Sequence, residues 1–393
     1  MSANPIAPAI EIALPADALT RLLRHPAIRA LGPNRTPWEA VADGRQRRLS
    51  RVGASVQVSL FQEAGGALRL RGESAAPVDI SALGAALARQ LPAQPVLRGE
   101  GGRPPAAGQT EIGAALAAAL RDGLSQLALH GPTCRADAPP TGVHQARVAL
   151  RRMRSVLKLC RSALDGRLPG DDPLAACDAN LKRLAAALGP ARDLDVFVAG
   201  LGRLLSETLP DEPRLVPLHR RAAAARLSAY GALPPLLAGP ALRAVLWQAA
   251  ALIETLEAMP PRRDLHDFAT RVLGKRHRRL RRAGADIETL PPAQLHALRL
   301  DGKRLRYAAE WLAPLWDAPA PRRYLRRLAR LQESLGLAND AEVARGLVRQ
   351  LGAPGWALGL AEGLALGRAA GSRDAALGAW RKWRKAPRFW VDG

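Results

Sequence analysis

The sequence predicts a mainly α-helical protein that is preceded by a small α+β segment. Hydrophobic residues make up 48% of the 393 residues but aromatic residues only 4%, and most of the apolar residues are Ala and Leu, which favour helix. From Glu111 to the C-terminus, segments rich in Ala, Leu and Arg place apolar residues at helical spacing and are interrupted by Gly and Pro. This pattern predicts about ten helices joined by short loops that place neighbours antiparallel.

The first hundred residues have a different pattern. Residues 9–14 predict a short strand, residues 16–30 predict a helix, and residues 55–61 alternate between polar and apolar side chains. A glycine pair at 65–66 then predicts a turn into a second strand over 67–71, which makes a hairpin. This segment is therefore a small α+β unit.

The boundary of this unit is predicted from composition. A stretch rich in Pro and Gly at residues 97–110 has no hydrophobic periodicity and is typical of a linker. The sequence therefore divides into the α+β unit at 1–96, the linker, and a helical region at 111–393.

The chain is strongly basic, with 58 Lys and Arg residues against 35 Asp and Glu residues and a formal net charge of +23 at pH 7. A charge excess of this size favours an anionic partner. Most of the cations are arginines, and a planar guanidinium donates two parallel hydrogen bonds to two phosphate oxygens. The composition is therefore compatible with phosphate binding.

The three cysteines, Cys134, Cys160 and Cys177, form no CxxC pair and lie far from any spaced histidines. The sequence therefore predicts neither a disulfide framework nor a zinc site, and it predicts no metal and no cofactor. The N-terminus lacks the charged and apolar regions of a signal peptide, and no stretch reaches the roughly 18 apolar residues of a membrane span. We expect a cytoplasmic protein without a membrane span.

An internal repeat is the most informative feature of the helical region. The pattern H-x-x-R-x-x-x-[RK]-R-x-R begins at His144 and occurs again 152 residues later at His296. Further on, the segment 181–193 is echoed by the segment 328–340. A unit of at least two helices has therefore been duplicated.

Each copy of the repeat places its cations on one helix face. In the first copy, an arc of about 80° contains five potential cations: His144, Arg147, Arg151, Arg154 and Lys158. In the second copy, the same angles are occupied by His296, Arg299, Lys303 and Arg306, with Glu310 at the position of Lys158. A solvated face would interleave acidic residues at i,i+4, whereas none lies between His144 and Lys158. The pattern favours an anion site, or partner helices that supply carboxylates.

The residues around these two faces leave several alternatives open. His144 and His296 each follow a turn, and the N-terminal turn of a helix lowers the pKa of a histidine. Each imidazole is therefore either a neutral donor or helix cap, or a direct phosphate contact. In the basic run 275–282, Arg276 and Arg279 are predicted to join the shared surface. We interpret the nearby acids as helix-start caps and charge compensators: Asp193, Asp195, Glu310, Asp340 and Glu342.

The C-terminal segment 380–390 interleaves aromatic residues with cations. Such a segment is either a nucleic-acid stacking platform, a membrane-surface segment or a set of core anchors. The i,i+3 spacing of Trp380 and Trp383 favours core anchors of a terminal helix.

With these motifs in view, residues 111–393 resemble the CHAD family, the conserved histidine α-helical domain. The resemblance implies two pseudo-symmetric four-helix bundles, with repeat halves at about 111–235 and 236–393, whose basic helices line a cavity for inorganic polyphosphate. Carried onto matching positions, it implies the following ligands: His144, Arg147, Arg151, Arg152, Arg154 and Lys158 in the first copy, Lys182 and Arg183 in the helix between, and His296, Arg299, Lys303, Arg304, Arg306 and Tyr307 in the second.

Residues 9–95 resemble a shortened CYTH domain, a triphosphate-tunnel fold whose metal-dependent hydrolysis needs an E-x-E-x-K strand. The matching strand here runs from Glu11 through Ala13 to Pro15, so one carboxylate remains while the second Glu and the Lys are absent. We predict no triphosphatase activity.

These observations predict non-enzymatic binding of inorganic polyphosphate, with association to polyphosphate granules as a further expectation. The first alternative is an RNA- or DNA-binding helical protein, and a residual triphosphatase is a more distant one. Sequence-tolerant binding of single strands uses aromatic side chains near the cations, and the two basic faces have only Tyr307 and Trp311. That composition favours polyphosphate over nucleic acid.

Overall fold

The structure is a computed structural model, and it describes the following residues: 10–31, 37–41, 44–50, 57–72, 80–97, 106, 108–260, 265–317, 319–352 and 355–391. Within these ranges the chain forms six strands and fifteen α-helices. The predicted mainly helical class with a small α+β part at the N-terminus is confirmed. Most of the predicted linker at 97–110 lies outside the described residues.

The N-terminal unit is an antiparallel sheet covered by short helices. Its strands are β1 (Ile10–Leu14), β2 (Glu39–Val41), β3 (Gly44–Ser50), β4 (Gln57–Glu63), β5 (Leu68–Gly72) and β6 (Gln94–Leu97), and they lie in the order β2-β3-β4-β5-β1-β6. Its helices are α1 (Leu19–Arg24), α2 (Pro26–Arg29) and α3 (Ile80–Ala88). The predicted hairpin is confirmed, because β4 pairs with β5 and places Leu60 opposite Leu70 in the core.

The predicted helix over 16–30 is divided in the structure. A 3-10 turn at Ala16–Ala18 precedes α1, and α2 starts separately at Pro26. Proline has no N–H to continue the hydrogen bonding of a preceding helix, but it fits the first position of a new one. The sequence analysis joined the two helices across this proline.

The first helical bundle consists of α4 (Ile112–His130), α5 (Thr141–Leu164), α6 (Pro173–Ala187) and α11 (Pro240–Glu257). Between α6 and α11 the chain forms α7 (Gly189–Phe197), a π-helical segment at Val198–Gly202, α8 (Arg203–Thr208), α9 (Val216–Gly231) and α10 (Leu233–Ala238). Because α11 packs on α4 and α6, the first bundle extends beyond residue 235, where the sequence analysis places the end of the first half.

The second bundle consists of α12 (Leu265–Ala283), α13 (Pro292–Leu312), α14 (Ala320–Gln350) and α15 (Gly355–Arg384). The long helix α14 corresponds to α6 and α7 of the first copy. Pro190 lies in the first turn of α7 and separates it from α6. In the second copy the matching Gly336 is followed by leucine instead of proline, and the helix continues.

Aromatic side chains from the C-terminus hold the second bundle together. Trp380, Trp383 and Trp390 are buried, and the rings of Trp383 and Trp390 pack against His277 of α12. The imidazole Nδ1 of His277 lies 2.9 Å from the hydroxyl oxygen of Tyr324. The prediction that these tryptophans are core anchors is confirmed.

The N-terminal unit docks on the first bundle through one tryptophan of α11. The Trp247 side chain belongs to the N-terminal core, and its Nε1 donates a hydrogen bond to the carbonyl oxygen of Ala93 at 3.1 Å. Gly84 of α3 makes room for the ring, because a Cβ at this position would lie 2.1 Å from Trp247 Cη2. The sheet is thus fixed against α11 of the first bundle.

No single helix within the described ranges is long and apolar enough to cross a membrane. One bent pair, Pro213–Ala238 with Pro240–Glu257, meets the length and composition criteria together, with a bend of 54°.

Candidate anion-binding site

The two copies of the basic pattern meet in space. Helices α5 and α13, which carry His144 and His296 near their N-termini, pack against each other. At their contact the guanidinium of Arg151 lies over the ring of Tyr307, with 5.4 Å between the guanidinium carbon and the ring centroid. The duplicated basic helices therefore form one shared surface.

A cavity of about 480 Å³ lies between α5, α12 and α13. We call it the basic cavity, and its lining residues are Lys158, Leu159, Ser162, Val272, Lys275, Arg276, Arg279, Asp301 and Arg304. Five of these side chains are cationic and one is a carboxylate. The cavity is therefore an electropositive concavity to which both repeats contribute.

Asp301 is the one acidic group of the basic cavity, and two arginines bind it. Arg279 Nε donates to Asp301 Oδ2 at 2.9 Å, and Arg304 Nη1 donates to Oδ1 at 2.8 Å. Both guanidiniums remain more than half exposed. Asp301 thus orients the two cations towards the cavity while leaving donors for a ligand.

Arg276 lies deeper among the same groups. Burial lowers the pKa of Arg276, the Arg304 and Arg279 guanidiniums lower it further, and the Asp301 carboxylate opposes them. An arginine remains protonated under these conditions because its intrinsic pKa is very high. The like charges therefore raise the free energy of the cavity until an anion offsets them.

Two cations of the first stripe, Arg154 and the cavity residue Lys158, pair with a carboxylate of a neighbouring helix. The Asp178 carboxylate of α6 accepts from Arg154 Nε at 2.8 Å and lies 3.4 Å from Lys158 Nζ. In the second copy, Arg306 Nε donates to Glu310 at 2.6 Å, and Arg306 Nη1 lies 3.3 Å from Gln332 Oε1. The alternative that neighbouring carboxylates compensate the basic faces therefore holds for this part of the pattern, and the anion site stays a prediction.

Arg147 has a structural partner of its own. Its Nη1 donates at 2.6 Å to the carbonyl oxygen of Ala185, which is one of the last carbonyls of α6. A Cβ at Gly189 would lie 3.5 Å from Arg147 Nη1, and a Cβ at Gly336 would lie 3.5 Å from Arg299 Nη2. The two repeats thus place equivalent arginines against equivalent glycines.

The two histidines differ in environment. Burial lowers the pKa of His144, and the guanidiniums of Arg192 and Arg151 lower it further. Burial and neighbouring charge therefore favour its neutral form, whereas the sequence analysis considered only the helix N-terminus as a cause and left a direct phosphate contact equally open. His296 is exposed on α13.

The predicted residues divide into groups according to where the structure places them. The basic cavity contains Lys158, Arg276, Arg279 and Arg304. Protein groups engage Arg147, Arg154 and Arg306. Lys182 and Arg183 are exposed on α6, where Arg183 donates to Asn180. Arg152 and Tyr307 line a different cavity, and Arg299 and Lys303 are half-buried on α13.

The sequence analysis did not single out Lys275 or Asp301, although both line the basic cavity. The signal for Lys275 is its spacing, since Val272, Lys275, Arg276 and Arg279 follow i, i+3, i+4, i+7 and thus share one helix face. Asp301 lies three residues before Arg304, at the spacing of a helical ion pair.

Two of the acids near the motifs, Asp195 and Glu310, serve as charge compensators. Asp195 lies inside α7, is buried, and accepts from Arg226 Nε at 2.8 Å and from the Tyr230 hydroxyl at 2.7 Å. Glu310 is near the C-terminal end of α13, so its predicted role as a helix-start cap is wrong. The side chains of Asp340 and Glu342 lie outside the described residues.

A second cavity of about 260 Å³ is the counterpart of the basic cavity in the other repeat. We call it the acidic cavity, and α4, α5 and α13 line it with Ala119, Asp122, Gly123, Gln126, Gln145, Val148, Ala149, Arg152, Ser155, Val156, Tyr307, Glu310 and Trp311. The 152-residue repeat relates Arg152 to Arg304 and Lys158 to Glu310. The α4 residues 119, 122, 123 and 126 have the same spacing as the α12 lining residues.

The N-terminal sheet carries the one carboxylate that the CYTH resemblance assigns to metal binding. Glu11 is buried, and its oxygens lie 2.8 Å from Arg71 Nε and 3.6 Å from Arg69 Nη1. A divalent cation would have to displace both guanidiniums and would find a single carboxylate. These residues therefore do not fit a metal-dependent hydrolytic site.

The fold and the basic cavity define a class of duplicated helical-bundle proteins with a cation-lined cavity between the repeats. The sequence model of the CHAD domain matches residues 118–349. The chain therefore belongs to the CHAD domain family, and the predicted resemblance is confirmed.

Solved structures agree with this placement. The crystal structure of the CHAD domain from the plant Ricinus communis is 28% identical to this chain, with a TM-score of 0.58, and the match covers 72% of this chain and 94% of that one. PptA from Streptomyces chartreusis is 18% identical, with a TM-score of 0.54 and coverage of 70% and 100%, and this likeness concerns the fold alone. Among curated proteins, none matches this chain.

Proposed function

We propose that this protein binds inorganic polyphosphate in the basic cavity without catalysing its conversion, and that binding associates it with polyphosphate granules in the cytoplasm. One observation carries the proposal: five cationic side chains from three helices surround one cavity that contains a single carboxylate. The CHAD family placement and the resemblance described above support the same ligand.

The chemistry of the cavity suits a polyanion. Each phosphoryl unit offers oxygens that a guanidinium binds through two parallel hydrogen bonds. Lys275 and Arg276 form no hydrogen bond or ion pair within the described part of the chain, so their donors are available to a ligand. Binding would relieve the mutual repulsion of these cations and thus stabilise the folded protein.

The cations beyond the cavity favour a long ligand over a single phosphate. Arg151 is exposed at the contact between α5 and α13, and Lys182 is exposed on α6. A linear anion leaving the basic cavity would meet these groups in succession, and each contact would release counterions. Long chains should therefore bind more tightly than short ones.

The non-enzymatic part of the proposal rests on the N-terminal sheet. Metal-dependent hydrolysis needs carboxylates that hold the cation, whereas Arg69 and Arg71 already engage Glu11. The basic cavity offers Asp301, which Arg279 and Arg304 engage in the same way. These ion pairs favour retention of the ligand over its hydrolysis.

The placement of the aromatic residues favours an anion without bases. Trp311 is only 7% exposed, and Trp380 and Trp383 lie in the core of the second bundle. The face of Tyr307 is already occupied by Arg151. Single-stranded nucleic acid would have to bind without the base stacking on which such binding commonly depends.

The test replaces two cations of the cavity with glutamates and compares the loss of affinity with that caused by replacing two other cations of the same helix. Lys275→Glu with Arg279→Glu should lower the affinity for long-chain polyphosphate about a hundredfold. Arg278→Glu with Arg281→Glu is the matched control, since both arginines are exposed on α12, lie outside the cavity lining and give the same change in net charge. Calorimetric titration measures affinity, and circular dichroism confirms that helicity is retained.

Two further readouts complete the test. If the five cations contact phosphate, the logarithm of the binding constant should fall with the logarithm of salt concentration at a slope of about −3.5. Single-stranded poly(U), added at matched phosphate and salt concentrations, should compete poorly. Equal losses for the two double variants, or displacement of polyphosphate by the RNA, would refute the proposal.

A further inference from the structure

The acidic cavity carries unpartnered groups of both charges. Asp122 of α4 and Arg152 of α5 both line it, and neither forms a hydrogen bond or an ion pair with another residue that the structure describes. Burial raises the pKa of Asp122, and the charge of Arg152 opposes this effect. The two groups thus influence each other across the cavity without direct contact.

A third group in this cavity lacks a partner. Trp311 is 7% exposed and lines the cavity, and its indole Nε1 is buried without an acceptor among the described residues. Buried donors are normally satisfied, because an unmade hydrogen bond costs free energy. The Nε1 atom has almost no accessible surface, so the Trp311 indole contributes an apolar wall and its N–H does not reach a ligand in the cavity.

The charges of the cavity select against ions of a single sign. A polyanion would meet the carboxylates of Asp122 and Glu310, so the ligand of the basic cavity does not suit this one. A simple cation would meet Arg152 and the field of a chain with a net charge of +23. A molecule that carries both a positive and a negative charge can pair with the carboxylates and with Arg152.

The remaining walls indicate the size and polarity of this molecule. Val148, Val156 and Ala119 provide an apolar side, and a volume of about 260 Å³ corresponds to a small metabolite. We infer that the acidic cavity binds a small zwitterion of the α-amino acid class with an aliphatic side chain. Its ammonium lies on Asp122, its carboxylate lies on Arg152, and its side chain packs on the valines and the Trp311 ring.

The ligand class is tested on the full chain by calorimetric titration with L-leucine and two analogues that each lack one charge. 3-Methylbutylamine lacks the carboxylate, and N-acetyl-L-leucine lacks the ammonium. We expect L-leucine to bind and each analogue to bind at least tenfold more weakly, because a hydrogen bond to a charged group is lost. Equal binding of an analogue, or binding of putrescine instead of L-leucine, would overturn the inference.

The location is tested with conservative variants. Asp122→Asn should weaken L-leucine binding at least tenfold, and Arg152→Gln, which removes the cation that binds the carboxylate, should weaken it by a similar factor. Asp171→Asn, in the exposed loop before α6, is the matched control and should change nothing. Unchanged binding of L-leucine by Asp122→Asn would reject the site. Polyphosphate affinity should be the same in all three variants, so the two proposals fail separately.

Discussion

The basic and acidic cavities occupy matching positions in the two repeats, yet their linings differ in charge. Where α12 presents Lys275, Arg276 and Arg279, α4 presents an aspartate, a glycine and a glutamine at the same spacing. Where α5 contributes Lys158 to one cavity, α13 contributes Glu310 to the other. Duplication has thus kept a cavity at matching positions, while its volume and the charges that line it differ.

The one cation that both cavities keep shows how the difference arises. Arg304 in the basic cavity binds Asp301, three residues earlier on α13. Its counterpart Arg152 has Ala149 at the corresponding position and no such carboxylate. Packing between the helices is set by apolar faces that the repeats share, so lining residues change without loss of the fold. Helix packing and ligand selection therefore vary independently here.

The largest effect should come from giving the basic cavity the residues of the acidic one. Lys158→Glu with Lys275→Asp and Arg279→Gln should lower polyphosphate affinity about a thousandfold, because three charge-assisted contacts are lost and two repulsive ones are gained. Retention of polyphosphate on a filter, measured over a range of protein concentrations, gives the affinity.

A matched variant separates local contacts from net charge. Arg278→Gln with Arg281→Asp and Arg282→Glu changes the net charge of the chain by the same amount at exposed positions outside the cavity. Its affinity should fall less than tenfold, through long-range attraction alone. A comparable loss in both variants would show that total charge, and not the cavity, retains the polyanion.

The two bundles should also differ in their response to acid, by about 2–3 kcal/mol in the free energy of unfolding. Burial and the nearby Arg388, Arg281 and Arg278 lower the pKa of His277 to about 4. The unfolded chain takes up this proton near pH 6.5, whereas the folded one does so only near pH 4. The contribution of His277 to the free energy of unfolding is therefore complete above pH 6.5 and is lost as the pH falls towards 4. The first bundle has Leu124 at the position that corresponds to His277, and a leucine side chain does not titrate.

Urea titrations at several values between pH 7 and pH 4 measure this dependence. His277→Gln removes the titrating group and keeps a polar side chain beside Tyr324, so its stability should fall less steeply with acid than that of the native chain. Carboxylates that titrate in the same range contribute to both proteins and cancel in the difference. Parallel curves would show that His277 does not set the acid response.

The converse exchange should create a second polyanion site, with an effect of about tenfold. Asp122→Lys with Gln126→Arg and Glu310→Lys gives the acidic cavity the cations of its counterpart. The number of short polyphosphate chains bound per protein should rise, and retention at raised salt should improve about tenfold. Arg306 loses Glu310 but keeps Gln332 at 3.3 Å. Unchanged stoichiometry would mean that the two cavities differ in shape as well as in charge.

The sequence was sufficient for those features that depend on periodicity or on repeated spacing. The hairpin of β4 and β5, the helical class, the duplication and the buried Trp380 and Trp383 all follow from local pattern. The basic faces of α5 and α13 were also identified, and the two faces do meet, as Arg151 and Tyr307 show.

The sequence was not sufficient to determine which cations remain available to a ligand. Arg154 lies on the predicted face, but Asp178 comes from α6, and no spacing rule connects the two positions. The contribution of Lys275 depends on how α12 packs against α5 and α13, which is a property of the tertiary structure. The acidic cavity was missed because α4 lacks the cationic pattern by which its counterpart α12 was noticed. Such contacts form between segments distant in the chain, so local pattern does not encode them.

The smallest of these effects concerns Asp301, and it separates ligand binding from stability. Asp301→Asn removes the carboxylate that binds Arg279 and Arg304, so polyphosphate affinity should rise about threefold while the free energy of unfolding falls by about 1 kcal/mol. Asp267→Asn, which breaks the exposed Asp267–Arg271 pair at 2.7 Å on the neighbouring helix α12, should leave affinity unchanged. Because the Asp301 carboxylate both opposes the anion and orients its ligands, a loss of affinity in Asp301→Asn would show that orientation outweighs repulsion. The absence of an equivalent carboxylate at Ala149 would then be a second reason, beside the missing cations, to expect weaker polyphosphate binding in the acidic cavity.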